Sequence, residues 1–182
     1  HGAFEHWLAD QLPVRRFEDL TIPFECVAAS IERASETWFS TGRLMPALLA
    51  SSSIPGLFPP VEVDGEHFYD GGLVNSVPIS RAIELGATTL YVLQVGRVEQ
   101  RLRVPKRWYE AGVVAFEISR RHRFTTLNDQ LPEGVISHLL PSGHTLEPDD
   151  RRQLNWSDFS DTDDLIENAR RESAIYLDGL DH

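Results

Sequence analysis

Residues 50–78 read ASSSIPGLFPPVEVDGEHFYDGGLVNSVP, and how this stretch ends decides the fold. It holds a triple serine (Ser51 to Ser53), proline corners at Pro55 and Pro59-Pro60, a short hairpin-like run, and then Asp70-Gly71-Gly72. Phe68 and Tyr69 read as the end of a buried strand. Gly71 and Gly72 permit positive φ and let another backbone approach closely. The Asp70 carboxylate is thereby set at a strand tip, where α/β proteins place their reactive groups.

In this order, Ala50-Ser51-Ser52-Ser53-Ile54-Pro55-Gly56-Leu57-Phe58-Pro59-Pro60-Val61, then Asp70-Gly71-Gly72, then Asn75 and Pro78 resemble the second signature block of patatin-like phospholipases. The resemblance runs from about Phe17 to Gly96, and more loosely to the C-terminus. It implies a three-layer α/β/α fold with a mainly parallel central sheet. It also implies a serine acyl hydrolase that cleaves lipid esters with a Ser-Asp dyad and needs no metal or organic cofactor. The residue matching the family's aspartate is Asp70, with Gly71 and Gly72 completing the motif. The serine of such enzymes lies in G-x-S-x-G, and neither that motif nor the glycine-rich oxyanion loop occurs in these residues. The expectation is that 1–182 is the C-terminal part of a single patatin-like domain. Its nucleophile would lie upstream of His1, and the chain would be inactive alone.

The chemistry can be set out from the residue itself. In a dyad the carboxylate does what histidine does in a triad, so it must come within roughly 2.6–3.2 Å of the serine. A free aspartate, with a pKa of about 3.9, is a weak base at neutral pH. Burial beside Phe68 and Tyr69 raises its basicity. The plainer reading of Asp70 is a turn aspartate bonded to its own backbone. Two further alternatives stay open. The order Ser…Asp…His is that of α/β-hydrolases, and His138 or His144 would complete it. A degenerate patatin-like domain could instead serve as a lipid-binding or interaction module.

Composition narrows the partners. The 182 residues contain 41% hydrophobic and 25% charged residues, the balance of a soluble globular domain. With 17 basic and 28 acidic residues the net charge is −11, which argues against nucleic acid and against adsorption to anionic lipid. Transient contact with a lipid surface remains compatible with a lipid substrate. The arginine pairs at Arg15-Arg16, Arg120-Arg121 and Arg151-Arg152 read as solvated faces. Cys26 is alone, which excludes an internal disulfide, and it reads as a small buried hydrophobe. Leu44 to Val61 is uncharged and long enough to raise the question of a membrane span, but Pro46, Pro55, Pro59 and Pro60 break a single helix there. His1 and His6 lack the spaced carboxylate–histidine set of a metal site. Localisation is open, with the cytoplasm as the favoured expectation.

The remaining elements follow from periodicity. A helix is expected from His1 to Leu12, stopped by Pro13, and strands at 21–30 and 36–41. Leu44, Ala47, Leu48 and Ser51 space as a helix face, with the serines as its polar end. Asp64-Gly65 marks a hairpin turn within 61–69. Asn75 or Ser76 can cap a helix that carries Pro78 in its first turn and stops at Gly86. A strand over 88–95 then completes a β-α-β pattern of parallel type with the strand before Asp70. Trp108, Ala111, Val114, Ala115 and Ile118 predict the apolar face of another helix. A strand over 134–140 and a final helix after a capping box at Ser160-Asp161-Thr162-Asp163 close the chain.

Overall fold

The computed structural model describes residues 2–93, 102, 104–105, 107–128, 131–141 and 162–180. In chain order the elements are α1 (Gly2–Gln11), β1 (Cys26–Ser30), β2 (Ser35–Phe39), α2 (Leu44–Ser51), β3 (Val61–Val63), β4 (Glu66–Asp70), α3 (Ile79–Glu84), β5 (Thr89–Leu93), α4 (Trp108–Asn128), β6 (Ile136–Leu140) and α5 (Thr162–Asp178). They fall into two compact units, residues 1–78 with 103–127, and residues 79–102 with 128–182.

The first unit is built on a four-stranded sheet in the order β2-β1-β4-β3. β1 reads Cys-Val-Ala-Ala-Ser and is buried at all five positions, as an apolar run between two partner strands must be. The strand starts at Cys26, later than periodicity predicts. Pro23 lacks an N–H for the ladder, and Ile22 and Phe24 are exposed. β1 pairs antiparallel with β2 on one side and with β4 on the other, with Ala28 opposite Asp70. The β3–β4 hairpin turns at Asp64 (φ 52°) and Gly65 (φ 84°), two left-handed residues in succession, as the Asp-Gly signal predicts.

α2 packs on this sheet through two faces. Leu44 and Ala47 join Phe17 and Cys26 in one cluster, and Ala50 joins Ala28 and Phe68 in the other. Phe68 is 2% exposed and meets Phe39 edge-on, with ring centroids 5.3 Å apart. Burying such a ring contributes roughly 2–3 kcal/mol. Cys26 is buried as expected, and loss of hydration pushes its thiol up to about 12, which makes it chemically inert.

The second unit contains a parallel pair, β5 with β6, and the helices α3 and α5. Parallel pairing is thus present, and among the described strands it is confined to this pair. The sheet of the first unit is antiparallel throughout. The β-α-β unit expected from β4 through α3 to β5 does not form a parallel pair here. Among the described residues β4 pairs with β1 and β3, and β5 pairs with β6. α3 begins one residue after Pro78, and Gly86 (φ 93°) follows its end. Ser76 does not cap it, because its hydroxyl donates to the Arg120 carbonyl at 3.1 Å. Among the described residues no helix is long and apolar enough to cross a membrane, and no group of three or more His, Cys, Asp or Glu side chains gathers as a metal site.

Candidate active site

Asp70 is the last residue of β4, and the chain turns immediately into a single 3-10 turn over Gly71–Leu73. Three contacts hold it there. Its backbone N–H donates to the Ser53 carbonyl at 2.9 Å. Its Oδ1 accepts from the Gly72 N–H at 2.7 Å, so the side chain caps the turn that follows it. Its ladder partner Ala28 is fully buried. Oδ2 accepts no hydrogen bond from the described residues.

The triple serine explains the first contact. Ser52 Oγ donates to the Leu48 carbonyl at 2.8 Å and Ser53 Oγ to the Leu49 carbonyl at 2.7 Å. Both hydroxyls thus fold back on the last turn of α2, as expected of a polar helix end. Ser53 is fully buried, and its own carbonyl reaches across to Asp70. Ser53 thus braces the aspartate's backbone through its carbonyl, while its hydroxyl is engaged with α2.

The two glycines are required by space. A Cβ on Gly71 would stand 2.2 Å from the Val27 carbonyl oxygen, so only hydrogen fits where the turn crosses β1. A Cβ on Gly72 would meet the Phe116 ring at 2.8 Å and Asp70 Oδ1 at 3.0 Å. Phe116 belongs to α4, which closes over the turn. Ser119 Oγ donates to the Leu73 carbonyl at 3.2 Å, next to the Ser76–Arg120 bond.

This helix presents a face that periodicity did not find. Val113 and Phe116 are its buried residues, at 8% and 4% exposure, whereas Ala111, Ala115 and Ile118 are exposed. The predicted face is therefore rotated, and the side chain of Trp108 lies outside the described residues. The reason is ionic. Arg120 clasps Glu117 with two hydrogen bonds of 2.9 and 2.7 Å, and Arg121 adds a third of 2.8 Å. All three side chains are largely shielded from solvent, at 13–17% exposure, so residues that read as a solvated face belong to the packed side. Burial opposes ionisation of Glu117, but the hydrogen bonds from Arg120 and Arg121 outweigh it and hold its pKa below the ordinary value.

These surroundings change the chemistry of Asp70. Loss of hydration pushes its pKa up from 3.8 to about 6, against the opposing pull of the Gly72 N–H and of the Arg120 charge. A carboxylate in that state is ionised at neutral pH and more basic than a free aspartate by about two pH units.

Of the histidines considered as partners, His138 lies on β6 in the second unit. It stacks on Tyr91 at 5.2 Å between ring centroids, and its Nδ1 is 3.2 Å from the Tyr176 hydroxyl. His144 lies outside the described residues, as do Arg151, Arg152 and the start of the predicted capping box. The first unit also carries an open apolar recess of about 560 Å³ between Leu12, Leu20, Phe24 and Leu48, apart from the residues around Asp70.

Comparison with known proteins agrees with the motif. The family model described as patatin-like phospholipase matches residues 2–83. An uncharacterized NTE family protein of Mycobacterium tuberculosis (strain ATCC 25618 / H37Rv) is 32% identical over 109 residues, 60% of this chain and 29% of that protein. Lysophospholipase NTE1 of Saccharomyces cerevisiae is 31% identical over 86 residues, 47% of this chain and 5% of that protein. The chain thus spans less than a third of the length of these relatives.

Proposed function

From the match of residues 2–83 to the patatin-like phospholipase family model, we propose that Asp70 is the general base of a Ser-Asp dyad in a lipid acyl hydrolase. The chain supplies the aspartate-bearing part of one patatin-like domain of α/β/α fold, and the serine comes from residues outside 1–182. The serine hydroxyl attacks the ester carbonyl while Asp70 accepts its proton. Asp70 hands that proton to the departing alcohol oxygen as the acyl-enzyme forms. The freed carboxylate then takes a proton from the attacking water and returns it to the serine oxygen as the fatty acid leaves.

The observation that carries this reading is the state of the Asp70 carboxylate. One oxygen is anchored by Gly72, the other accepts no bond from the described residues, and burial raises its basicity. A turn aspartate needs the first feature only. Substrate class follows from the family and from the relatives named lysophospholipase, and is a lipid ester.

The test is Asp70→Asn in the full-length protein, with kcat and KM on one ester substrate and a thermal melt of each protein. A large loss of kcat with KM and melting temperature held supports the base. Near wild-type kcat would reduce Asp70 to a turn residue. A loss accompanied by a much lower melting temperature would make its role structural.

A further inference from the structure

We propose that Arg120 is the positioning residue of Asp70, a cation that α4 fixes against the turn that follows the carboxylate, so that its field favours the ionised form. This rests on the reading of Asp70 as the base. The geometry begins with the backbone. α4 meets the turn after Asp70 at three successive places, Phe116 against Gly72, Ser119 Oγ on the Leu73 carbonyl, and Ser76 Oγ on the Arg120 carbonyl. The last of these pins the backbone of Arg120 itself to the turn. The side chain is fixed as well, because Glu117 grips the guanidinium with both carboxylate oxygens. A two-point clasp of this kind orients a guanidinium in its plane in a way that a lysine would not match.

The charges around Asp70 then have a simple order. β1 contributes Val27 and Ala28 and no charge, and the end of α2 contributes only serines. β2 contributes Glu36, whose carboxylate accepts from Asn75 Nδ2 at 3.1 Å. α4 contributes Arg120 and its partners Glu117 and Arg121. Of these, Arg120 is the one whose charge favours the ionised form of Asp70, adding to the Gly72 N–H against the larger cost of burial. Glu117 serves two cations at once. Removing Arg120 therefore leaves it paired with Arg121, and the cluster can lose the charge without stranding a buried carboxylate.

The experiment is the pH profile of kcat/KM for the full-length enzyme and for Arg120→Met, Arg120→Gln and Arg120→Lys, with Asp70→Asn as the reference. Without the cation the acidic limb moves to higher pH. Arg120→Met and Arg120→Gln then lose about threefold to tenfold below pH 6 and recover most of it above pH 8, since a midpoint about one pH unit higher lowers the ionised fraction roughly tenfold in acid. Arg120→Lys restores the charge and keeps the midpoint near that of wild type. A merely structural role predicts loss at every pH and no movement of the limb, and that result overturns the proposal. Gln can still donate to Glu117, so misfolding of the Met variant alone does not decide the matter. If the limb stays put while Asp70→Asn is inactive, the base stands and the role of Arg120 falls. If Asp70→Asn is active, both fall.

Discussion

The two ends of β4 carry carboxylates with opposite behaviour. Glu66 at its start and Asp70 at its end lie four residues apart on the same face of one strand. Glu66 accepts from Ser30 Oγ and from two nitrogens of Arg33, at 2.5 and 2.8 Å. The Ser30 hydroxyl and then the Arg33 guanidinium hold its pKa below the ordinary range, and no basicity is left to use. His67 beside it pairs with Glu32 at 2.7 Å in the same exposed network. Asp70, by contrast, has lost its water without gaining full compensation. The strand is the same and the residue class is the same. What separates a structural acid from a candidate base is the supply of donors around it.

The comparison breaks most sharply through matched substitutions. With Asp70 as the proposed base, Asp70→Asn in the full-length protein should lower kcat on the order of 10⁴-fold, the usual cost of losing a base or its orienting partner in serine hydrolases. Glu66→Gln should leave kcat within about twofold, because its bonds end at Arg33 and Ser30. Equal losses from both would dissolve the distinction between the two ends.

The next effect is steric. Gly71→Ala places a methyl group against the Val27 backbone, where nothing flexible can yield. A destabilisation of about 1–3 kcal/mol or more is expected, read as a fall in the denaturant midpoint. An unshifted midpoint would mean that the turn can lift off β1, and the placement of Asp70 would lose its basis.

pH sharpens the contrast further. With Asp70 at about 6, kcat/KM should fall close to tenfold per pH unit below that point and level off above it. The sign for stability is the reverse. Asp70 binds its proton more tightly folded than unfolded, so this group adds stability below pH 4 that is lost as pH rises through 6. Asp70→Asn should accordingly hold or raise the melting temperature at pH 8. Glu66, with its pKa lowered, contributes in the opposite sense and loses its contribution in acid.

The smallest expected change comes from His138. It packs between Tyr91 and Tyr176, so His138→Ala should cost modest stability and leave kcat within a small factor. A drop of several orders of magnitude with folding intact would restore the Ser-Asp-His arrangement.

Local signals in the chain proved readable where a single residue type carries the constraint. Asp64-Gly65 announces two left-handed positions, and the hairpin turns there. Cys26 to Ser30 has no polar face, and it becomes the strand with two neighbours. The face of α4 was not readable. Glu117, Arg120 and Arg121 look like solvent-facing charges until they are seen to neutralise one another, and Ile118 looks like core until Phe116 takes the contact with Gly72. Sequence pattern records which residues are charged, and it does not record that three of them share one hydrogen-bonded cluster.

Taken alone, the sequence determined the motif that carries the resemblance, the order of the elements around it, and which aspartate to weigh as a base. Those depend on residues adjacent in the chain, so their spacing is itself the signal. Tertiary structure decided what the aspartate can do. Its backbone is fixed by Ser53, its turn fits against Val27 because Gly71 has no side chain, and its charge is opposed by burial and favoured by Arg120. Arg120 stands fifty positions along the chain from Asp70, and only folding brings its field onto a carboxylate that has lost its water. Basicity belongs to that meeting, because a pKa measures the surroundings of a charge and its surroundings are not its neighbours in sequence.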